Sequence, residues 1–212
     1  MKLNSVNNNK NKRAAFTLIE MIGVLAVIAI LAAMLIPRVF QAINNARINN
    51  AAVTAETLKA ATADHYGKYG KLDQIFGTNP VPFQVAGVFS YGYDTNVLMR
   101  EGLLDKPFSV KIGGGDPSTN CVLELVAGGH ENGGVGPGYM LDGTVNTITT
   151  NAQFVIEEVI YGVSAADAKD LNDAIDGGSL SAPLGAQDTK GRVEYAAPVN
   201  GTTTVYVYLT HR

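Results

Sequence analysis

The strongest pattern in the chain is an apolar run from Phe16 to Ile36, interrupted only by Thr17 and Glu20. Those 21 residues would form a helix about 31 Å long at 1.5 Å per residue. That length matches the hydrocarbon core of a bilayer, roughly 30 Å thick. Beyond Pro37 the pattern changes from all-round apolar to one-sided. Val39, Phe40, Ile43, Ala46, Ala51, Val53, Leu58 and Ala61 recur at helical spacing, and Gly and Pro are absent until Gly67. The spacing predicts one long helix over 17–66, bent near Pro37, where the ring removes an N–H and crowds the preceding turn. Its second half is expected to bury one face against the rest of the chain.

From Gly67 onwards glycine and proline become frequent and β-branched runs appear. Asp94 or Thr95 is expected to cap a short helix through Val97, Leu98 and Met99, ended by Gly102. Ser109 to Ile112, Cys121 to Ala127 and Phe154 to Gly162 read as strands. The third hardly alternates, which suggests burial on both faces or mixed structure. Residues 113–117 and 128–134 read as loops, and neither has the context of a phosphate loop. Ser164 to Ile175 reads as a helix capped by Ser164, with Ala168, Leu171 and Ile175 as its buried stripe and Asp176-Gly177-Gly178 as its end. Asp167, Asp170, Asp173 and Asp176 do not have the spacing of a compact calcium loop and read as a solvated helix face. The chain closes with a hairpin, 192–197 and 203–209, turning at Asn200-Gly201. In its second strand Val205, Val207 and Leu209 face one way, and Tyr206 and Tyr208 the other.

Charge sharpens the picture of the first segment. The leading fifteen residues carry Lys2, Lys10, Lys12 and Arg13 and no acid; removing these four of the 16 basic side chains leaves 12 against 19 acidic ones. An acidic remainder argues against general nucleic-acid binding, which needs Lys and Arg to neutralise phosphates. The basic flank is expected to stay cytoplasmic, with the C-terminal part translocated. The run ends in Met34-Leu35-Ile36-Pro37-Arg38 without the small-residue cleavage site of a secretory signal. A plain anchor leaves Glu20 unexplained, because a carboxylate within an apolar helix is costly unless paired. Cys121 is the sole cysteine, so an intramolecular disulfide is excluded; it reads as a small buried side chain.

The stretch Lys12-Arg13-Ala14-Ala15-Phe16-Thr17-Leu18-Ile19-Glu20 resembles the type IV prepilin processing motif, and the resemblance extends to about Phe40. It implies cleavage between Ala15 and Phe16 by a leader peptidase on the cytoplasmic side, then N-methylation of Phe16. Glu20 then becomes the fifth residue of the mature chain and Pro37 its twenty-second, where the family often carries a kinking proline. Ala15 departs from the usual glycine but keeps a small side chain. The resemblance also implies that Glu20 meets the terminal amine of a neighbouring subunit and sets the axial register. Gly23, Ala26, Ala29, Ala32 and Ala33 would let such helices approach closely.

The expected fold is therefore α+β and pilin-like: a long kinked helix packed on a mainly antiparallel sheet. Residues 1–15 form a leader, 16–37 the membrane and filament-core half of the helix, and 38–212 the C-terminal domain. The expected function is a filament subunit of a pilus or of a type II secretion pseudopilus. Partners implied by the resemblance are copies of itself and related pilins, the prepilin peptidase and methyltransferase, and an inner-membrane assembly platform driven by a separate ATPase. Many pilins pin their C-terminal region with a disulfide, so the single cysteine leans towards a pseudopilin. The implied location is the bacterial inner membrane as a single-pass precursor, then the filament.

Two other classes compete. His65, His130 and His211 lack metal-ligand spacing, no nucleophile elbow is present, and no cofactor is expected, which disfavours a tethered enzyme. An adhesion module on a pilin stem would use the glycine-rich loops with Tyr91, Tyr93, Tyr206 and Tyr208, although tyrosines packed on a sheet explain the same residues.

Overall fold

The computed structural model describes residues 16–72, 74–75, 79–80, 90–116, 120–127, 138–144 and 154–212. Its elements in chain order are α1 (Leu18–Tyr69), β1 (Gln74–Ile75), β2 (Asn79–Pro80), β3 (Ser90–Tyr91), a π-helical turn (Asp94–Leu98), β4 (Cys121–Ala127), β5 (Phe154–Ser164), α2 (Ala165–Ile175), β6 (Val193–Tyr195) and β7 (Thr202–His211). This is an α+β arrangement with a long N-terminal helix. Backbone packing divides the chain into two compact units, with the division between Ile43 and Asn44 inside α1.

The second unit is built on a five-stranded sheet in the order β3-β4-β5-β7-β6, with every neighbouring pair antiparallel. β5 lies in the middle, and this explains its weak alternation: six consecutive residues, Val155 to Ile160, are buried. Ile156 and Ile160 join the main core, while Val155 and Val159 join a smaller cluster on the opposite face. β7 divides in the same way. Val205, Val207 and Leu209 enter the main core and Tyr206 and Tyr208 the smaller cluster, as their alternation requires.

The second half of α1 supplies Ile48, Ala51, Ala55, Leu58, Ala61, Thr62 and His65 to the buried face. Steps of three and four residues keep these side chains on one stripe. Val53, expected in that stripe, is 64% exposed. It lies two residues from both Ala51 and Ala55, about 200° around the helix from each neighbour in the stripe. Val39, Phe40 and Ile43 are also exposed. The helix continues through Pro37 without a break.

Two local expectations need correction. The π-helical turn begins after Tyr93, which makes no side-chain cap; Thr95 Oγ1 instead donates backwards to the Gly92 carbonyl. Residues 109–112 form no strand, although Val110 and Ile112 are fully buried. Side chains take up their carbonyls in place of a ladder: Arg47 Nε donates to Lys111 O at 2.7 Å and Asn120 Nδ2 to Ile112 O at 2.8 Å. The segment then turns through Gly113 at φ 93°, where a Cβ would lie 2.5 Å from the Tyr161 carbonyl oxygen.

The C-terminal elements follow the sequence closely. Ser164 Oγ accepts from Asp167 N at 3.1 Å, capping α2, and Ala168 and Leu171 are buried beneath it. Ser164→Ala is expected to cost about 1 kcal/mol, read as a lower urea midpoint with an unchanged slope. Asp176 closes α2, but it is not part of a solvated face. Its Oδ2 accepts from the backbone N–H of both Arg192 and Val193 at 2.8 Å, stapling the start of β6 to the helix end. The hairpin turns through Asn200 (φ 54°) and Gly201 (φ 83°), a left-handed pair that suits the twist of β6 and β7. Of the expected loops, residues 117 and 128–134 lie outside the described residues, as does His130.

Candidate functional site: the N-terminal helix

Thr17 and Glu20 form a reciprocal cap at the start of α1. Thr17 N donates to Glu20 Oε2 at 2.8 Å, Thr17 Oγ1 donates to the same oxygen at 2.7 Å, and Glu20 N donates to Thr17 Oγ1 at 3.3 Å. This is a capping box, with Thr17 before the first helical residue and Glu20 three positions on. The carboxylate is thereby turned towards the N-terminal end of the helix, beside the backbone of Phe16 and Thr17. Sequence reasoning assigned Glu20 to a neighbouring subunit and missed this internal partner. The signal was present as Thr-x-x-Glu before an apolar run.

Past the cap the helix is apolar on every side. Phe16 is 81% exposed, and the large apolar residues from Leu18 to Ile36 are exposed all the way round. The most apolar 18-residue window of α1 has a mean hydropathy of 2.7 and no buried residue. Such a surface is stable in lipid or against other apolar helices, not in water. Phe16, Glu20 and Pro37 lie on this one segment, while Ala15 lies outside the described residues.

Residues 10–36 match a family profile described as the prokaryotic N-terminal methylation motif. The chain carries the type IV pilin and pseudopilin signature. Proteins that carry this motif are structural rather than enzymatic, and the motif implies assembly with other pilin-type subunits and membrane machinery. Together with the apolar helix, the pilin motif fits a single-pass precursor of the inner membrane. No curated protein and no solved structure matches the chain.

Elsewhere the chain holds several buried ionisable groups. Among the described residues no group of three or more His, Cys, Asp or Glu is placed to hold a metal ion. His65 and His211 have different partners. His65 is buried with Nδ1 2.7 Å from Glu101 Oε2, edge-on to Tyr93, whereas the His211 ring lies against Tyr208. Tyr93 is itself buried and donates to Leu72 O at 2.7 Å. With Tyr206 and Tyr208 also buried, these three tyrosines pack in the domain and do not form a binding face. Cys121 is buried as expected, and desolvation pushes its thiol up to about 11, which leaves it unreactive.

Sequence reasoning overlooked the carboxyls inside the sheet. Glu124 on β4 and Glu157 on β5 are directly opposite in register and both are buried. Burial and the neighbouring Glu157 raise the Glu124 carboxyl well above its ordinary range. Tyr139 donates to Glu157 Oε2 at 2.6 Å, and burial holds that phenol protonated. Tyr139→Phe, which removes this short donor, is expected to cost about 1–3 kcal/mol, read by urea unfolding of the full chain in detergent. Glu158 points to the opposite face, where neither carboxylate oxygen has a hydrogen-bond partner among the described residues, and burial raises it to about 8.

Proposed function

We propose that this chain is a structural subunit of a type IV pilus-like filament, made as a precursor and assembled through its N-terminal helix. The observation that carries the reading is the methylation motif over residues 10–36, continuous with a helix whose apolar half is exposed on every side. Residues 1–15 act as the leader, cut between Ala15 and Phe16. Phe16 is then N-methylated, which keeps a positive charge at the start of the apolar rod. Residues 16–37 span the membrane and later the filament core, and residues 38–212 form the domain translocated across the membrane. Pro37 provides a soft point in the long helix during extraction from the bilayer. Glu20 pairs with the methylated amine of a neighbouring subunit, so each buried charge offsets the other and axial register is fixed. The chain acts as a building block and not as an enzyme. Its partners are copies of itself and related subunits, the processing enzyme and an inner-membrane platform.

A pseudopilus of a type II secretion system is the second reading, favoured by Cys121 being the sole cysteine. The shared steps are tested by intact mass and N-terminal sequence of the protein from its own cells. A chain beginning at Phe16 with one added methyl group is expected. A chain still beginning at Met1, or cut after the apolar run, would overturn both readings.

A further inference from the structure

The exposed ridge of α1 within the second unit has a groove on each side, and Val53 lines both. One groove, of about 420 Å³, lies between α1 and the segment 104–111, with Lys106, Phe108 and Lys111 on its wall. Arg47 ties this segment to the helix through its bond to Lys111 O, adding a third cation to the same side. Asp105 is the one acid lining the groove among the described residues. The other groove, of about 530 Å³, lies between α1 and α2 and is lined by Ala52, Glu56, Ala60, Ala174 and Ile175. Its neighbouring hollow is bordered by Asp170 and Asp173 of α2. Asp173 is matched by Lys169 and Glu56 by Arg192. Lys106, Lys111 and Asp170 are exposed and make no ion pair among the described residues.

We propose that the basic groove beside segment 104–111 of one copy receives the acidic α2 edge of the next copy. The inference rests on the filament reading and names the contact between its subunits. A two-fold contact centred on the basic groove would set Lys106 and Lys111 of one copy against those of the other. A head-to-tail contact joins Lys106 and Lys111 to Asp170, and around the Val53 ridge it covers apolar surface that a lone subunit leaves wet. Repeated head to tail, such a contact leaves one patch free on each end copy and propagates along a filament, whereas a two-fold contact about Val53 would join both pairs at once and give only a covalent dimer on cross-linking. The charges steer and orient the contact, while apolar cover around Val53 contributes adhesion.

The test uses the full chain in cells that assemble it. Lys106→Cys and Asp170→Cys are introduced singly and together, and sheared filaments are oxidised and run on a denaturing gel. Buried Cys121 contributes little background. A ladder of covalent multimers is expected from the double variant and none from either single variant. In parallel, Lys106→Asp should lower filament yield several-fold, and Asp170→Lys in the same chain should restore it. Filaments of normal processed mass with no ladder would overturn this contact and leave the filament reading standing. Processed chains of the unaltered sequence that make no filaments would overturn both. A covalent dimer from one single variant, or a cross-link to a different protein in place of the ladder, would also overturn the contact.

Discussion

Replacing Glu158 by Leu is expected to stabilise the chain by roughly 2–4 kcal/mol at pH 7. The side chain is completely buried, opposite Leu123 and Val207 in the sheet, and neither oxygen finds a hydrogen-bond partner among the described residues. Burial raises its carboxyl from 4.5 to about 8, so at neutral pH the native state holds a proton that the unfolded chain releases. The sign follows from that difference. The native state binds more protons between those two values, so its stability falls as pH rises through the interval. Each pH unit there removes about 1.4 kcal/mol. Below 4.5 the penalty vanishes, because both states are protonated. Glu124 and Glu194 act in the same direction, with burial raising Glu194 to about 8 and burial plus the Glu157 carboxyl raising Glu124. Urea unfolding of the full chain in detergent from pH 4 to pH 9 should therefore show a steep decline, and Glu158→Leu should make it shallower. Glu158→Gln separates the two causes, since it removes the ionisation but keeps a buried polar group. An unchanged pH slope in both variants would show that Glu158 is solvated or paired.

Glu20→Ala is expected to leave the precursor in the membrane and reduce filament yield by roughly tenfold or more, because one charge of a buried pair left unmatched is strongly unfavourable. The capping box complicates this reading, because alanine also removes the acceptor for Thr17 N and Thr17 Oγ1. Glu20→Gln resolves the two roles. A glutamine three positions after the cap residue still closes a capping box, but it carries no charge for a neighbour's amine. Loss of filaments in both variants, with membrane insertion and processing intact, supports the charge pairing. Normal filaments from Glu20→Gln would assign the residue to the helix cap alone.

The two halves of the chain differ in how far their sequence reveals them. The apolar run, the methylation motif, the cap of α2, and the Asn200-Gly201 hairpin are local patterns. Each is decided by residues within a few positions of one another, and the apolar helix, the α2 cap and the hairpin appear in the structure where the pattern places them. The same holds for the two-sided burial of β5, since a central strand has no solvent face to leave polar. The segment 109–112 misled because β-branched residues record burial as much as strand pairing. Val110 and Ile112 enter the core while Arg47 and Asn120, distant in sequence, take the neighbouring carbonyls.

By itself the sequence determined that one apolar helix begins the chain, that a carboxylate sits near its start, and that an α+β domain follows. Those properties follow from hydrophobic period, turn chemistry and caps, which act over short distances. Only the tertiary structure decided that Glu124 and Glu157 face each other, that Glu158 is fully buried, and that Asp176 staples β6. It also decided which flank of α1 is basic and which acidic. Each of these depends on strand register or on helix orientation, which bring together residues far apart in the chain. A single sequence carries no local signal for such meetings beyond the presence of an acid within an apolar strand.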